Sequence, residues 1–184
     1  ALFPACAQFS AIGYGCTSAA AHIGSRAVAK AVRQGATTAR VTEPLTAVIA
    51  ACRHTGARRI GLLSPYIESV STRLCDALNA AGIDVRAFAS FDESEEAKVV
   101  RIAPSSIVAA AETLAQGASL DALFLSCTNL RTLDVIDEIE AKTGMPVLTR
   151  NQVLAWDLLQ TTGMAPQHDA IGVMWQHAVA RNAG

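Results

Sequence analysis

What this sequence lacks narrows it first. No apolar run reaches the roughly 20 residues that span a bilayer, so a membrane partner is not expected. The opening "ALFPACAQF" carries no basic n-region of a signal peptide. The formal net charge is -1 and lysines and arginines form no cluster, which argues against a nucleic-acid surface. No CxxC or clustered Cys/His spacing is present, so no metal centre is expected. "GYGCTS" holds two glycines but no GxGxxG, which leaves a dinucleotide site poorly supported. The five cysteines are odd in number and widely spaced, in a chain too large and apolar to need a disulfide framework. Free thiols in a reducing cytoplasm are the simplest reading.

What is present is apolar and alanine-rich. Half the 184 residues are hydrophobic, while only 5% are aromatic. This is the composition of Ala-rich helices packed on a sheet. Strand-like runs at 9–14, 39–42, 58–66, 83–91, 120–126 and 147–149 alternate with helical periodicity. Helices are expected over 19–34, from Glu43-Pro44 to 55, and over 68–81, 104–116, 130–142, 151–161 and 172–181. The acidic stretch 92–98 reads as a loop or short helix. Such alternation implies βαβ units, mainly parallel sheets flanked by helices, and ligands outside the carboxyl ends of the strands. The fold class is α/β. Two similar lobes related by an approximate two-fold axis are expected, with the site in the cleft between them. Residues 1–64 plus about 149–184 form the first lobe and 65–148 the second. The surplus of apolar helix faces points to a homodimer or homotetramer.

One feature repeats. "IGYGCTSAAA" and "LFLSCTNLRT" each end an apolar strand in Cys-Thr, at Cys16-Thr17 and Cys127-Thr128. A cysteine between a strand end and a helix start meets outward N–H groups and a positive dipole end, which favour its thiolate. The residues that follow, Thr17 and Ser18 in one case and Thr128 and Asn129 in the other, supply donors able to hold a carboxylate. Two such thiols facing one another suit chemistry on two faces of one carbon. One adds to carbon or removes a proton while the other supplies one, with no cofactor. Cys6, Cys52 and Cys75 read instead as small buried hydrophobes.

Four segments carry a resemblance: "YGCTSAAAHIG", "SPY", "FLSCTNLRTLDVIDEIE" and "GMPVLTRNQVLAWDLL". Together they resemble the aspartate/glutamate racemase superfamily. The similarity is closest to its maleate cis-trans isomerase and arylmalonate decarboxylase branch, the ectoine-utilisation type above all. The resemblance implies Cys16 as nucleophile or base and Cys127 as proton donor or second base. It implies that Thr17, Ser18, Thr128 and Asn129 hold substrate carboxylates, with Tyr66 hydrogen-bonding one of them. In the isomerase version Cys16 adds to the alkene of a small cis-dicarboxylate, the bond rotates, and the thiolate leaves. Members carry a further amino-terminal βα unit with a substrate-binding Asn, so the first lobe is expected to be incomplete at its start. They also carry an Asn before the helix at Pro104, where this chain reads "EEAKVVRIAPSSI". The decarboxylases lack the first cysteine.

Two other functions fit the same residues. One is racemisation or epimerisation of an amino acid or its N-acyl derivative, with both thiols as acid and base. The other is a non-catalytic small-acid binder or thiol sensor. The four histidines read as surface or packing groups, Asn151 and Gln152 as helix caps or cleft residues, and Trp156 and Trp175 as core or interface anchors.

Overall fold

The strands that read as unbroken apolar runs take the middle of the protein. The computed structural model describes residues 7–165 and 171–176, with Ser18 described by its backbone only. β3 (Arg59–Tyr66), β5 (Ala122–Leu125) and β6 (Val147–Thr149) are buried along almost their whole length. With β4 (Asp84–Glu93) they form a four-stranded sheet of order β4-β3-β5-β6, parallel throughout. Strands covered on both faces need apolar residues at every position, which is why alternation is lost in them. β4 lies at the edge and keeps a strict exposed/half-buried alternation. Leu62 and Phe124 point to one face, against α3 (Pro44–Thr55), α4 (Glu68–Ala80) and α8 (Arg150–Thr162). Leu63, Leu123 and Leu125 point to the other, against α6 (Pro104–Gln116) and α7 (Ile136–Thr143).

A second, two-stranded parallel sheet pairs β1 (Gln8–Gly13) with β2 (Thr37–Thr42). α8 joins it to the larger sheet. Leu154 and Leu158 of α8 lie so close over Gly13 that a Cβ there would sit 3.0 Å from Leu158 Cδ1. Thr42 donates its hydroxyl to the Asp157 carboxylate, and both residues are buried.

The local start and stop signals largely hold. Glu43 caps α3, accepting from Leu45 N at 2.7 Å and Thr46 N at 2.9 Å, with Pro44 in the first turn and Gly56 left-handed at the end. Thr149 and Gln152 form a capping box on α8. Trp156 and Trp175 belong to the core, and the His54 ring lies 5.0 Å from that of Trp156.

Two expectations change. The helix expected over 19–34 is two helices, α1 (Thr17–Ile23) and α2 (Ser25–Gly35), because Gly24 at φ 84° breaks the helical backbone. The expected lobe boundary at residue 64 cuts through β3, which pairs with β4 and β5 in the larger sheet; β6 pairs there as well. A strand apolar on both faces needs a helical layer over each, and β3 finds both in the larger sheet. The acidic stretch divides between the end of β4 and α5 (Glu96–Val99). Cys6, His168, His177 and residues 177–181 of the expected last helix lie outside the described residues; 173–176 are helical. Among the described residues no helix is long and apolar enough to cross a membrane, and no group of metal-binding side chains gathers.

Phe124 is fully buried at the centre of the larger sheet. Phe124→Ala is expected to lower the unfolding free energy by roughly 3–5 kcal/mol. Ile23→Ala, at a side chain 51% exposed, should change it by no more than about 0.5 kcal/mol. Urea denaturation of the two variants checks the contrast.

Candidate functional site

Parallel pairing fixes where the site lies. Leu63 registers with Leu125, and Leu125 with Thr149. The residues that follow each of them, up to Tyr66, Cys127 and Arg150, therefore emerge along one edge of the sheet. β1 delivers Gly15, Cys16 and Thr17 to the same place, with Cys16 as the N-cap of α1. The result is one cavity of about 190 Å³ lined by Cys16, Thr17, Tyr66, Cys127, Thr128, Glu96 and Arg150, among others. Two thiols 111 positions apart in the chain share it.

Arg150 ties the two cysteine loops together. It begins α8 directly after β6 and is only 4% exposed. Its Nη2 donates to the carbonyl of Gly15 at 2.6 Å, beside Cys16. Its Nη1 donates to Thr128 Oγ1 at 3.1 Å, beside Cys127. Burial pushes the guanidinium below its ordinary value, and the neighbouring Cys127, Cys16 and Tyr66 groups pull it back up. Among the described residues no carboxylate forms an ion pair with it. A buried cation without a carboxylate partner is costly, and anionic groups in the cavity relieve that cost.

On the other side a chain of hydrogen bonds runs outward from Cys127. The Tyr66 hydroxyl donates to Glu96 Oε2 at 2.7 Å and lies 3.1 Å from Cys127 Sγ. A phenol has one proton to give. With that proton on Glu96, Cys127 is the donor in the second contact, S–H to phenol oxygen. The backbone N–H of Asn129 donates to Cys127 Sγ at 3.2 Å. Asn129 Nδ2 donates to the second oxygen of Glu96, so one carboxylate is held from two sides. Burial, then the contacts with Cys127 and Glu96, raises the Tyr66 phenol far above its usual range, so it stays protonated.

The sequence-chosen residues fall into place unevenly. Cys16, Thr17, Tyr66, Cys127 and Thr128 line the cavity, while Asn129 borders it through Glu96 and Cys127. Ser18 lies in α1, one residue beyond Thr17. The helix expected directly after Cys127 begins later: residues 126–132 form a loop before a 3-10 turn at Leu133–Val135 and then α7. Leu130 and Thr132 are buried and draw that loop into the protein, while Leu133 is 58% exposed. Local donors such as Asn129 N–H therefore act at Cys127 in place of a helix dipole. Asn151 donates to the carbonyl of Thr128 at 3.0 Å and braces the loop. His22 contacts Arg73 on the surface. Arg150 and Glu96 were not singled out in the sequence. The signal for Arg150 was a lone arginine directly after an apolar strand; Glu96 is one of several acids in a row and carried none.

Two cysteine loops presented by parallel strands to one cleft define an α/β protein with a two-thiol site. Residues 28–175 match the arylmalonate decarboxylase family model, and the chain belongs to that family. That stretch contains Cys127 and Arg150 and begins after Cys16. The chain is 30% identical over 131 residues to the arylmalonate decarboxylase of Bordetella bronchiseptica, a match covering 64% of this chain and 50% of that protein. It is 26% identical over 136 residues to the maleate isomerase of Nocardia farcinica, covering 73% and 54%. A cysteine-to-serine variant of Nocardia farcinica maleate cis-trans isomerase with a covalently bound succinylcysteine intermediate shares the fold. Its TM-score is 0.80 at 21% identity, over 90% of this chain and 71% of that one. The chain thus spans about half the length of the curated relatives it matches.

Removing the Arg150 charge should be felt at the half-buried Cys16. In Arg150→Met, alkylation of Cys16 by iodoacetamide near neutral pH is expected to slow about tenfold, because the cation that favours its thiolate is gone. Cys52 is fully buried and its thiol is pushed up to about 12. It should stay unlabelled in both proteins, and mass spectrometry of the labelled peptides reads both sites at once.

Proposed function

We infer that this chain carries the two-thiol site of a cofactor-independent isomerase acting on a small carboxylate. One observation carries the reading: Cys16 and Cys127, distant in sequence, line a single cavity together with a buried arginine. The two sulfurs stand in different surroundings. Cys16 stands at the N-cap of a helix, which suits a nucleophile. Cys127 shares its proton with Tyr66, which suits a proton donor.

For a cis-dicarboxylate the steps balance as follows. The Cys16 thiolate forms a bond to one alkene carbon, and the adjacent carbon takes the Cys127 proton. The product of this addition is a succinyl thioether, the species named for the Nocardia farcinica variant. Rotation about the new single bond brings the carboxylates apart. The Cys127 thiolate then takes the proton back while the carbon–sulfur bond breaks, releasing the trans isomer and restoring both groups. Thr17, Ser18, Thr128 and Asn129 are the candidates for holding the carboxylates.

A second reading, racemisation or epimerisation at an α-carbon, is favoured by the Glu96 carboxylate at the Tyr66 side of the cavity. There Cys16 removes the α-proton from one face and Cys127 delivers one to the other, with no carbon–sulfur bond.

Cys16→Ala and Cys127→Ala are each expected to abolish turnover, by about 10³-fold or more, while leaving the thermal transition nearly unchanged. Full activity in either variant refutes the two-thiol reading. Proton NMR in D₂O separates the two chemistries. Fumarate formed from maleate marks the first, with or without deuterium from the exchanged Cys127 thiol, and deuterium entering at the sp³ α-carbon of an amino acid marks the second.

A further inference from the structure

Two charged side chains of opposite sign line the cavity at different places. The Arg150 guanidinium lies between the two cysteine loops, fixed to Gly15 and Thr128. The Glu96 carboxylate lies at the Tyr66 side, held by the Tyr66 hydroxyl and the Asn129 amide. Among the described residues neither has an ion-pair partner. Tyr66 and Asn129 are neutral donors, so they orient the Glu96 carboxylate without cancelling its charge. They are also the donors expected, from sequence, to hold a substrate carboxylate, and the chain's own carboxylate occupies them.

We propose that Glu96 and Arg150 select a small zwitterion, whose carboxylate lies toward Arg150 and whose ammonium group lies toward Glu96, and reject dicarboxylates. A dianion would place its second carboxylate against Glu96, where the like charges repel, screened in part by solvent because Glu96 is exposed. It would also compete with Glu96 for Tyr66 and Asn129. An ammonium group at the same point gains a charge-assisted hydrogen bond and leaves both donors satisfied. The inference rests on the reading that the cavity holds a carboxylate substrate; within that reading it favours reaction at the α-carbon of an amino acid over the dicarboxylate steps, and it assigns the specificity of the site to Glu96 on α5.

The test measures binding by calorimetry with the Cys16→Ala/Cys127→Ala chain, so that turnover plays no part. The probes are D- and L-2-aminobutyrate, 4-aminobutyrate, maleate and succinate. At least one amino acid is expected to bind ten times or more tighter than either dicarboxylate. Glu96→Gln in the same background keeps an acceptor for Tyr66 and removes the charge. It should shrink that ratio at least tenfold, chiefly by improving the dicarboxylates. Glu96→Asp, which keeps the charge, should preserve the preference. Dicarboxylates binding as tightly as every amino acid tested, or a ratio unmoved by Glu96→Gln, overturns the proposal. The two-thiol reading fails separately, through turnover that survives in the cysteine variants, and that result leaves the charge selection standing.

Discussion

The Arg150 guanidinium is the interaction on which the site depends. It reaches Gly15 on one loop and Thr128 on another from the first turn of a helix that also packs against the smaller sheet. Its position is costly, because a buried cation with no carboxylate partner is desolvated at a net loss. That cost is recovered whenever an anion, thiolate or substrate carboxylate, enters the cavity beside it. The same contact thus bridges the loops and places a positive charge between them.

The asymmetry between the two thiols follows from what surrounds them. Cys16 follows a short strand and stands at the N-cap of α1, half-buried in the lining of the cavity. Cys127 is only 2% exposed and engaged with Tyr66 and Asn129. Two copies of one local motif, Cys-Thr after an apolar strand, therefore offer different chemistry. Such a division suits a reaction in which one sulfur acts on carbon and the other manages a proton. The family to which the chain belongs includes decarboxylases and is close to maleate isomerases, so the scaffold itself does not decide between reactions.

Much of the fold was legible because its signals are local. Pro104 and Gln116 bound α6 as read, β6 spans Val147–Thr149 as read, and Glu43-Pro44 opens α3. Two errors share one cause. The break at Gly24 and the loop after Cys127 both interrupt a helical pattern that periodicity alone would continue. Periodicity records which side of a helix would be apolar, not whether the backbone stays helical. Buried Leu130 and Thr132 are held by tertiary packing that no local pattern announces.

By itself the sequence determined the element order, the parallel character of the sheets and the two Cys-Thr strand ends, because each is written in neighbouring residues. Only tertiary structure decided that Arg150 stands between those strand ends and that Glu96 sits beside Tyr66. Both are single charged residues whose neighbours in space lie 20 to more than 130 positions away in the chain. A charge acquires its role from the groups that desolvate and face it, and those groups meet only when the sheet edges and α8 have packed.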